Sequence, residues 1–507
     1  MLDRENFIQE ITAKYTCGGE KIILGKGIFN GEVLPEVDVY IPLSTVNRHG
    51  LIAGATGTGK TKTLQAFVEQ LSQYGIPTMV MDIKGDLSGL GAAGENTPKV
   101  QERYSKTKLS YQPQAFPVEF MSISDEKGIR LRATVTEFGP VLLSKILGLN
   151  DTQSSIMAII FKYCDDKILP LVDLEDLKKV LQYVAEDAEG KAEFSRNYGS
   201  ISSASLGAIL RSIVALEQQG ARAFFGELSF EVEDLLQTRD GKGVVSILRV
   251  TDMQSKPQLF STFMLSLLAE IYMKFPEIGD TAKPKFALFI DEAHLLFSQA
   301  SKTLLNQIET IVKLIRSKGV GIYFITQVPG DIPEGVLGQL GLKIQHALRG
   351  FTAKDKKEIE KAVQNYPITE FYKASELIQN LGIGEAFVTA LDEKGIPTPL
   401  VDTFLISPES RMDILTPQEI DHLVENSNLV QKYKESVNRE SAYEILNARM
   451  NSAVVGEGAV SPRGNDKKEA GVFEQVLKSP LAKSVGNTLV REVTNMVFGM
   501  LGLKKRR

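Results

Sequence analysis

Cysteine is scarce in this chain of 507 residues, and its two cysteines, Cys17 and Cys164, lie far apart. Their spacing matches no disulfide framework, metal site or dithiol motif, and such scarcity is typical of a protein of the reducing cytosol. No run approaches the roughly 18 consecutive apolar residues of a membrane span. The N-terminal segment is charged where a signal peptide would be apolar. We therefore predict a cytoplasmic protein.

An excess of positive charge is also lacking, because the formal net charge is −5. This balance argues against a protein that binds nucleic acid with its whole surface, although a local basic channel is compatible with it. The apolar fraction of 43% and the charged fraction of 24% are ordinary for a globular protein with a sizeable core. The length fits about three domains, or one large core with additions.

Short apolar runs alternate with helical stretches from Leu51 onward, which predicts an α/β core with a mainly parallel sheet. The candidate buried strands are residues 49–55, 78–83, 244–250, 286–291, 321–326 and 343–350. Two β segments within residues 20–45 predict a small N-terminal β cap. Apolar residues spaced three and four apart within 141–236 predict a helical insertion, and a similar stripe from Leu477 to Val497 predicts a C-terminal amphipathic helix.

A glycine-rich segment between a candidate strand and a helix matches the pattern G-x-x-x-x-G-K-[ST]. It reads Gly54-Ala55-Thr56-Gly57-Thr58-Gly59-Lys60-Thr61. The glycines allow successive backbone N–H groups to point at phosphate oxygens, and the N-terminus of the following helix favours negative charge. Lys60 is suited to bridge the β- and γ-phosphates, and the Thr61 hydroxyl to ligate Mg²⁺. The segment therefore predicts a P-loop that binds ATP with Mg²⁺.

Two carboxylates, Asp291 and Glu292, follow the apolar strand candidate 286–291. Open α/β folds bind ligands at the carboxyl ends of their strands, so both side chains are expected beside the phosphates. Asp291 is suited to the Mg²⁺ shell and Glu292 to polarising an attacking water. His294 is interpreted as a structural residue.

Three further polar residues have open interpretations. Gln327 follows the strand candidate 321–326 and would sense the γ-phosphate or the lytic water, or else face solvent in a turn. Asp82 would join a water network or an interface, or cap its turn. Arg316 ends a predicted helix, where most arginines are solvated and interact with the helix dipole. In ATPases that form rings, however, such an arginine often acts on the nucleotide of the next subunit.

The motifs, taken in order, resemble the HerA–FtsK superfamily of P-loop motor ATPases, and within it the bacterial HerA-like (YjgR-type) branch. The resemblance rests on residues 48–65, 80–90, 224–227, 286–297, 314–333, 381–397 and 478–493. It implies a RecA-like core, homo-oligomeric rings that are usually hexameric, and ATP sites between subunits. It also implies that Asp291 and Glu292 serve Mg²⁺ and water, that Gln327 is a sensor, and that Arg316 acts in trans.

These patterns together divide the chain into five parts. They are an N-terminal β-rich cap (1–46), a first part of the RecA-like ATPase core (47–140), the helical insertion (141–236), a second part of the core (237–405) and a C-terminal extension with a linker and an amphipathic helix (406–507).

The leading functional hypothesis is an ATP-driven motor, a translocase or helicase that acts on duplex DNA. The lysine-rich segment Lys354–Lys361 would fit DNA contact, although a mixed Lys/Glu run is more often a solvated helix face. The alternative is an ATPase that drives protein assembly or membrane-associated remodelling. A two-core DEAH-type helicase is disfavoured, because about 230 residues separate Lys60 from Asp291 and no second core motif is present.

Overall fold

The computed structural model describes residues 4–124, 126–252, 256–279, 281–298, 302–350, 352–434 and 440–456. The predicted C-terminal amphipathic helix and most of the predicted linker (452–469) lie outside these residues. The chain divides into two compact units. The sheet unit consists of Met1–Arg130 and Glu231–Lys434, and the helical unit of Leu131–Phe230 and Glu435–Arg507.

The described strands are β1 (Lys21–Phe29), β2 (Glu32–Pro42), β3 (Gly50–Ala53), β4 (Thr78–Asp82), β5 (Val118–Ser122), β6 (Ile129–Arg130), β7 (Thr238–Arg239), β8 (Lys242–Gly243), β9 (Val245–Arg249), β10 (Phe286–Ile290), β11 (Val320–Thr326), β12 (Leu342–Gln345), β13 (Glu385–Thr389) and β14 (Val401–Leu405).

The described α-helices are α1 (Arg4–Lys14), α2 (Lys60–Gln73), α3 (Pro98–Thr107), α4 (Val135–Ile146), α5 (Asp151–Lys167), α6 (Leu174–Glu186), α7 (Ala188–Tyr198), α8 (Ser203–Gln218), α9 (Pro257–Lys274), α10 (His294–Phe297), α11 (Lys302–Ile315), α12 (Glu334–Leu337), α13 (Ala353–Gln364), α14 (Ala374–Leu377), α15 (Pro417–Glu425), α16 (Asn428–Tyr433) and α17 (Ala442–Gly456).

Within the described part of the chain, twelve strands form one sheet in the order β2-β1-β14-β13-β12-β3-β11-β10-β4-β9-β5-β6. The strands from β12 to β6 are parallel to their neighbours, whereas those from β2 to β12 pair antiparallel. The central strands β3, β10 and β11 are buried along their whole length, as strands covered on both faces should be. The predicted α/β class with a mainly parallel sheet is confirmed.

Strands β1 and β2, which lie within the predicted N-terminal β-rich cap, extend the antiparallel side of the main sheet. Gly25 of β1 is paired with Leu405 of β14, which comes 380 positions later in the chain. The alternating pattern in residues 20–45 predicts strands correctly, but a partner so distant in sequence leaves no local signal.

Helix α2 covers one face of the central strands and begins directly after the glycine-rich segment. Gly59 precedes it with a φ of 108°, a left-handed conformation that glycine adopts without strain. The fully buried Phe67 of α2 packs edge-on against Phe289 of β10 and Tyr323 of β11, with ring centroids 5.5 and 5.0 Å apart. These contacts fix the start of α2 relative to the central strands.

The helical unit is built from α4 to α8 and α17. Its helices begin earlier than the predicted insertion, because Thr134 and Glu137 form a capping box that starts α4. The amphipathic α6 buries Leu177, Val180 and Leu181. Among the described residues no single helix is long and apolar enough to cross a membrane. Only the pair α7 and α8, bent by 108°, passes such a test together, by length and composition.

Candidate nucleotide site at the carboxyl edge of the sheet

Four neighbouring parallel strands, β3, β11, β10 and β4, end at one edge of the sheet, and the first three are each followed by residues of the predicted site. The glycine-rich loop 54–61 follows β3, Gln327 follows β11, and Asp291 and Glu292 follow β10. The sequence placed these segments at strand ends, and the strand order makes them neighbours. Arg316 precedes β11 and lies at the opposite edge.

The glycine-rich loop is tied to the strands beside β3. The Gly54 N–H donates to the Thr326 carbonyl at 3.2 Å, and the Ala55 N–H donates to the Ala347 carbonyl at 2.8 Å. Gly54 has a φ of 153°, and a Cβ there would lie 2.5 Å from the Cβ of His346. Only glycine fits this position, both for its backbone conformation and for the space it leaves.

The buried His346 holds the middle of the loop and was not singled out from the sequence. Its Nδ1 lies 3.1 Å from the Thr58 carbonyl, so this nitrogen donates, and its Nε2 lies 3.0 Å from the Thr63 hydroxyl. Burial, reinforced by the charge of Lys60, lowers the pKa of His346 to about 3. The ring is therefore neutral at physiological pH. A polar residue directly after β12 within an apolar run is the signal that would have marked it.

Lys60 is almost fully buried and points into its own loop. Its Nζ donates to the carbonyls of Gly54 and Ala55 at 2.6 and 3.1 Å. Burial lowers the pKa of Lys60, and the positive charge of Lys84 adds to this effect. These neutral acceptors leave the charge of the ammonium group available for an anion.

The carboxylates of Asp291 and Glu292 are both buried but lie in different surroundings. Asp291 Oδ1 accepts a hydrogen bond from the Glu292 N–H at 2.8 Å, and burial raises the pKa of Asp291 to about 7. Glu292 Oε1 lies 2.5 Å from Lys84 Nζ, and Oε2 lies 3.2 Å from His294 Nδ1. Burial raises the pKa of Glu292, but the hydrogen bond and charge of Lys84 outweigh it, so the pKa is lowered overall.

Lys84 is therefore a site residue to which the sequence assigned no role. Lys84 lies beside Glu292 only because β4 pairs with β10. A local sequence pattern does not indicate which strands pair in a sheet. Asp82, at the end of β4, accepts hydrogen bonds from the N–H groups of Gly85, Asp86 and Leu87. Of the interpretations left open for Asp82, the turn cap is the one whose contacts are present.

Gln327 is exposed directly after β11, between the ends of β3 and β10. The turn that carries it is fixed by Asp331, whose Oδ2 accepts from the Thr326 hydroxyl at 2.5 Å and from the Val328 N–H at 3.4 Å. Its place at the strand edge suits a residue that reads the γ-phosphate.

Arg316 lies beyond the amino end of β11, at the edge opposite the glycine-rich loop. The seven residues of β11 separate the two edges by about 20 Å, at roughly 3.3 Å per residue. An arginine side chain is much shorter than this distance. Arg316 is therefore remote from the glycine-rich loop of its own chain.

The residues at the carboxyl edge fit a nucleotide with Mg²⁺. The loop residues Gly54, Gly57 and Gly59 all have positive φ, which is the geometry of a phosphate cradle, and Glu292 at the end of β10 also has a positive φ, of 45°. The buried Asp86 Oδ1 makes no hydrogen bond among the described residues, so this acceptor is available to a hydrated cation or a water. Carboxylate and hydroxyl oxygens are the ligands that Mg²⁺ prefers.

A parallel sheet flanked by helices, a P-loop after its central strand and an acidic pair on a nearby strand define a RecA-like P-loop NTPase. More particularly, the chain belongs to the family described as Helicase HerA-like C-terminal, whose model matches residues 30–506. The predicted membership of the HerA–FtsK superfamily is thereby confirmed.

The chain resembles the DNA double-strand break repair helicase HerA of Sulfolobus acidocaldarius, with 22% identity over 385 residues, 75% of this chain and 68% of that protein. It also resembles unbound TrwBΔN70, a bacterial conjugative coupling protein, with a TM-score of 0.53 and 13% identity over 80% of this chain and 94% of that one. The plasmid coupling protein TrwB in complex with ADP and Mg²⁺ gives a TM-score of 0.50 and 14% identity over 79% and 98% of the two chains. At these identities the structural likeness shows the fold.

Proposed function

We propose that this protein hydrolyses ATP with Mg²⁺ and uses the energy as a HerA-type motor on duplex DNA, assembled as a ring of six copies. The observation that carries the proposal is the convergence of the P-loop, the acidic pair and Gln327 on neighbouring strand ends. A solved relative, TrwB, holds ADP and Mg²⁺, and a curated relative is named as a DNA repair helicase.

In this proposal the loop N–H groups and Lys60 bind the β- and γ-phosphates, and Lys60 exchanges its two carbonyl contacts for phosphate oxygens. Thr61 and Asp291 would hold Mg²⁺, whose charge would offset the negative charge that develops on the transferring phosphoryl group. Glu292 accepts the proton of the attacking water. Gln327 contacts the γ-phosphate, and through Gln327 the loss of the γ-phosphate on hydrolysis is transmitted to β11.

The pair of Lys84 and Glu292 keeps the catalytic carboxylate ionised. Without a cation, burial would favour its protonated form, which cannot accept a proton. The side chain of Lys84 is 38% exposed, whereas the side chain of Glu292 is only 8% exposed. Lys84 can therefore move toward solvent or phosphate more easily than the carboxylate can. We assign Lys84 the role of positioning and ionising Glu292.

Arg316 acts in trans in this proposal. Its distance from its own P-loop, about 20 Å along β11, leaves the nucleotide of a neighbouring copy as the phosphate it can reach. A guanidinium delivered in this way stabilises the charge of the transferring group.

The test is steady-state ATP hydrolysis by the full-length protein with and without duplex DNA, together with the mass of the assembly. The proposal expects hydrolysis that duplex DNA stimulates several-fold, lost in Lys60→Ala under both conditions. A rate of ATP hydrolysis that duplex DNA of any length leaves unchanged would contradict the proposed DNA motor. It would favour the alternative, an ATPase that acts on proteins or membranes. A monomeric mass in the presence of nucleotide would reject the ring.

A further inference from the structure

The segment before strand β13 lies directly on the glycine-rich loop and has no role in the chemistry proposed above. It reads Gly382-Ile383-Gly384 and belongs to the range 381–397, which carries part of the family resemblance. The Gly384 N–H donates to the Thr58 carbonyl at 3.1 Å. Because β12 is parallel to β3 and β13 is antiparallel to β12, the start of β13 lies at the same carboxyl edge as the P-loop.

Arg103 of α3 holds this segment in place. Its Nη1 donates to the carbonyls of Gly384 and Leu405 at 3.1 and 2.6 Å, and its Nη2 donates to the Ile383 carbonyl at 3.1 Å. The guanidinium also lies over the ring of Phe404, 4.0 Å from the ring centroid. The side chain of Ile383 is nevertheless 75% exposed. A single exposed isoleucine is common on a protein surface, but this one is presented at a fixed place beside a phosphate site.

The order of the strands indicates on which side of the P-loop a nucleoside would lie. The strands follow one another as β13-β12-β3-β11-β10, with the P-loop after β3. In the proposed function the terminal phosphate lies beside Gln327 and Glu292, which follow β11 and β10. A triphosphate bound along the loop therefore directs its other end, the nucleoside, toward the side of β12 and β13. The segment that carries Ile383 lies on that side and contacts the loop.

The backbone polar groups of the two glycines in this segment are already paired. The Gly382 N–H donates to Glu385 Oε2 at 2.7 Å. The Gly384 carbonyl accepts from Arg103 and also from the Leu405 N–H at 3.0 Å. The segment therefore offers a base an apolar side chain, while these backbone groups are occupied. Contact of this kind depends on the area of the base more than on the polar groups at its edge.

We propose that Ile383 forms one wall of the nucleoside subsite, and that Arg103 is a positioning residue that holds Ile383 there. The base packs on Ile383 by apolar contact, so the subsite accepts adenine and guanine alike. The inference rests on the proposed function and deepens it, because it makes the protein a hydrolase of both purine nucleoside triphosphates.

The experiment titrates MgADP, MgGDP and inorganic tripolyphosphate calorimetrically into the full-length protein. Tripolyphosphate carries a phosphate chain without a nucleoside, so its binding reports on the P-loop alone. We expect Ile383→Ala to raise the Kd of both nucleotides about 5-fold, the order for losing part of the burial of one isoleucine, and to leave the Kd of tripolyphosphate unchanged. Ile396→Ala is the matched control, since Ile396 is 58% exposed in the turn between β13 and β14, at the far end of the same hairpin.

The positioning role of Arg103 is tested by a double-variant cycle. Arg103→Ala should weaken the binding of both nucleotides by about 5-fold, and adding Ile383→Ala should weaken it little further, because the two residues act through one contact. Arg103→Lys, which keeps a cationic donor, should recover part of the loss. Additive losses would show that Arg103 does not act through Ile383. The melting temperature of each variant shows whether it is folded.

Several results would overturn the inference. Equal losses for tripolyphosphate and the nucleotides would mean that Ile383 supports the P-loop and not the base. An unchanged Kd for both nucleotides would remove Ile383 from the subsite, and a lower assembly mass beside it would assign Ile383 to a contact between copies. GDP binding weaker than ADP binding by more than about 100-fold would show recognition of the polar edge of the base. A natural protein that binds none of the three ligands would instead reject the proposed function, on which the inference rests.

Discussion

The neighbouring side chains Asp291 and Glu292 at the carboxyl edge lie in different surroundings. Asp291 is held by a backbone N–H and has a raised pKa, whereas Glu292 is paired with Lys84 and has a lowered pKa. The pair was predictable as acids at the end of a buried strand. The contact of Glu292 with Lys84 was not predictable, because Lys84 follows a different strand and lies more than 200 positions earlier in the chain.

The two carboxylates should respond differently to loss of charge. Glu292→Gln keeps the shape and removes the proton acceptor, so we expect binding of MgATP within about 3-fold of the natural protein and turnover lower by at least about 100-fold. Asp291→Asn should instead weaken binding that depends on Mg²⁺. Nucleotide titrations with and without Mg²⁺, beside turnover, check this. Indistinguishable variants would contradict the division of roles.

The contact between Lys84 and Glu292 should also be visible in stability. Lys84→Met leaves the buried Glu292 carboxylate without its cation, and we expect a loss of about 1–2 kcal/mol in unfolding free energy, allowing for the partial exposure of Lys84.

Adding Glu292→Gln to Lys84→Met should restore most of this loss, because the amide carries no charge. Lys99→Met serves as the exposed control. Denaturant unfolding of the natural protein, Lys84→Met, Glu292→Gln, the double variant and Lys99→Met measures the coupling, and additive losses would show that the pair is not coupled.

Elements of the core were predictable where both faces of a strand are buried. The runs at 78–83, 286–291 and 321–326 became β4, β10 and β11 with ends within one residue, because a doubly covered strand must be apolar throughout. The candidate at 343–350 became only β12 (Leu342–Gln345), since the polar His346 turns away to hold the P-loop. Strand order and the antiparallel side depend on contacts between distant segments and were not predictable.

The loop between β3 and α2 should tolerate no side chain at its first position. In Gly54→Ala the new Cβ would meet His346 at 2.5 Å in a backbone conformation that alanine rarely adopts. We expect a loss of nucleotide affinity of at least about 10-fold and a drop in stability on the order of 2 kcal/mol.

Gly330→Ala is the matched control, because its Cβ would meet nothing within 4 Å and its φ is not positive. Nucleotide titration and thermal unfolding of both variants check the prediction. Equal behaviour would mean that the loop shifts freely away from His346.

At the scale of the whole sheet, the glycine-rich loop lies at the carboxyl edge and Arg316 lies beyond the opposite, amino edge. Sequence reasoning from the residues alone favoured a solvated Arg316, and only the resemblance to a superfamily of ring-forming ATPases pointed to a trans role. Arg316 also lines a cavity together with Arg48 and Lys343. This cavity could not be predicted from the sequence, because the three residues come from three separate segments. The lysine-rich segment Lys354–Lys361, for which DNA contact and a solvated helix face were both considered, lies on α13 with its lysines exposed.

Arg316→Ala should leave nucleotide binding nearly normal and lower kcat by about 10³-fold, as for other arginines that act from a neighbour. Arg316→Lys should recover little, since it lacks the planar fork of the guanidinium. Turnover and nucleotide Kd are measured for both variants at concentrations where the assembly mass is unchanged. A kcat within threefold of the natural protein would place Arg316 outside the reaction.

Strand β3 has only four residues, about 13 Å, with His49 before it and Gly54 after it. His49 is hydrogen-bonded to Val312 of α11 and to Ile322 of β11, so a shift of the P-loop would be carried through β3 to the segment that bears Arg316. In the proposed ring each subunit would bind one nucleotide with its P-loop and place Arg316 beside the nucleotide of the next subunit, always in the same rotational sense. In such a ring a conformational change would be passed in one rotational direction only. A single defective copy would then inactivate two adjoining sites, the site where it binds nucleotide itself and the site to which it contributes Arg316.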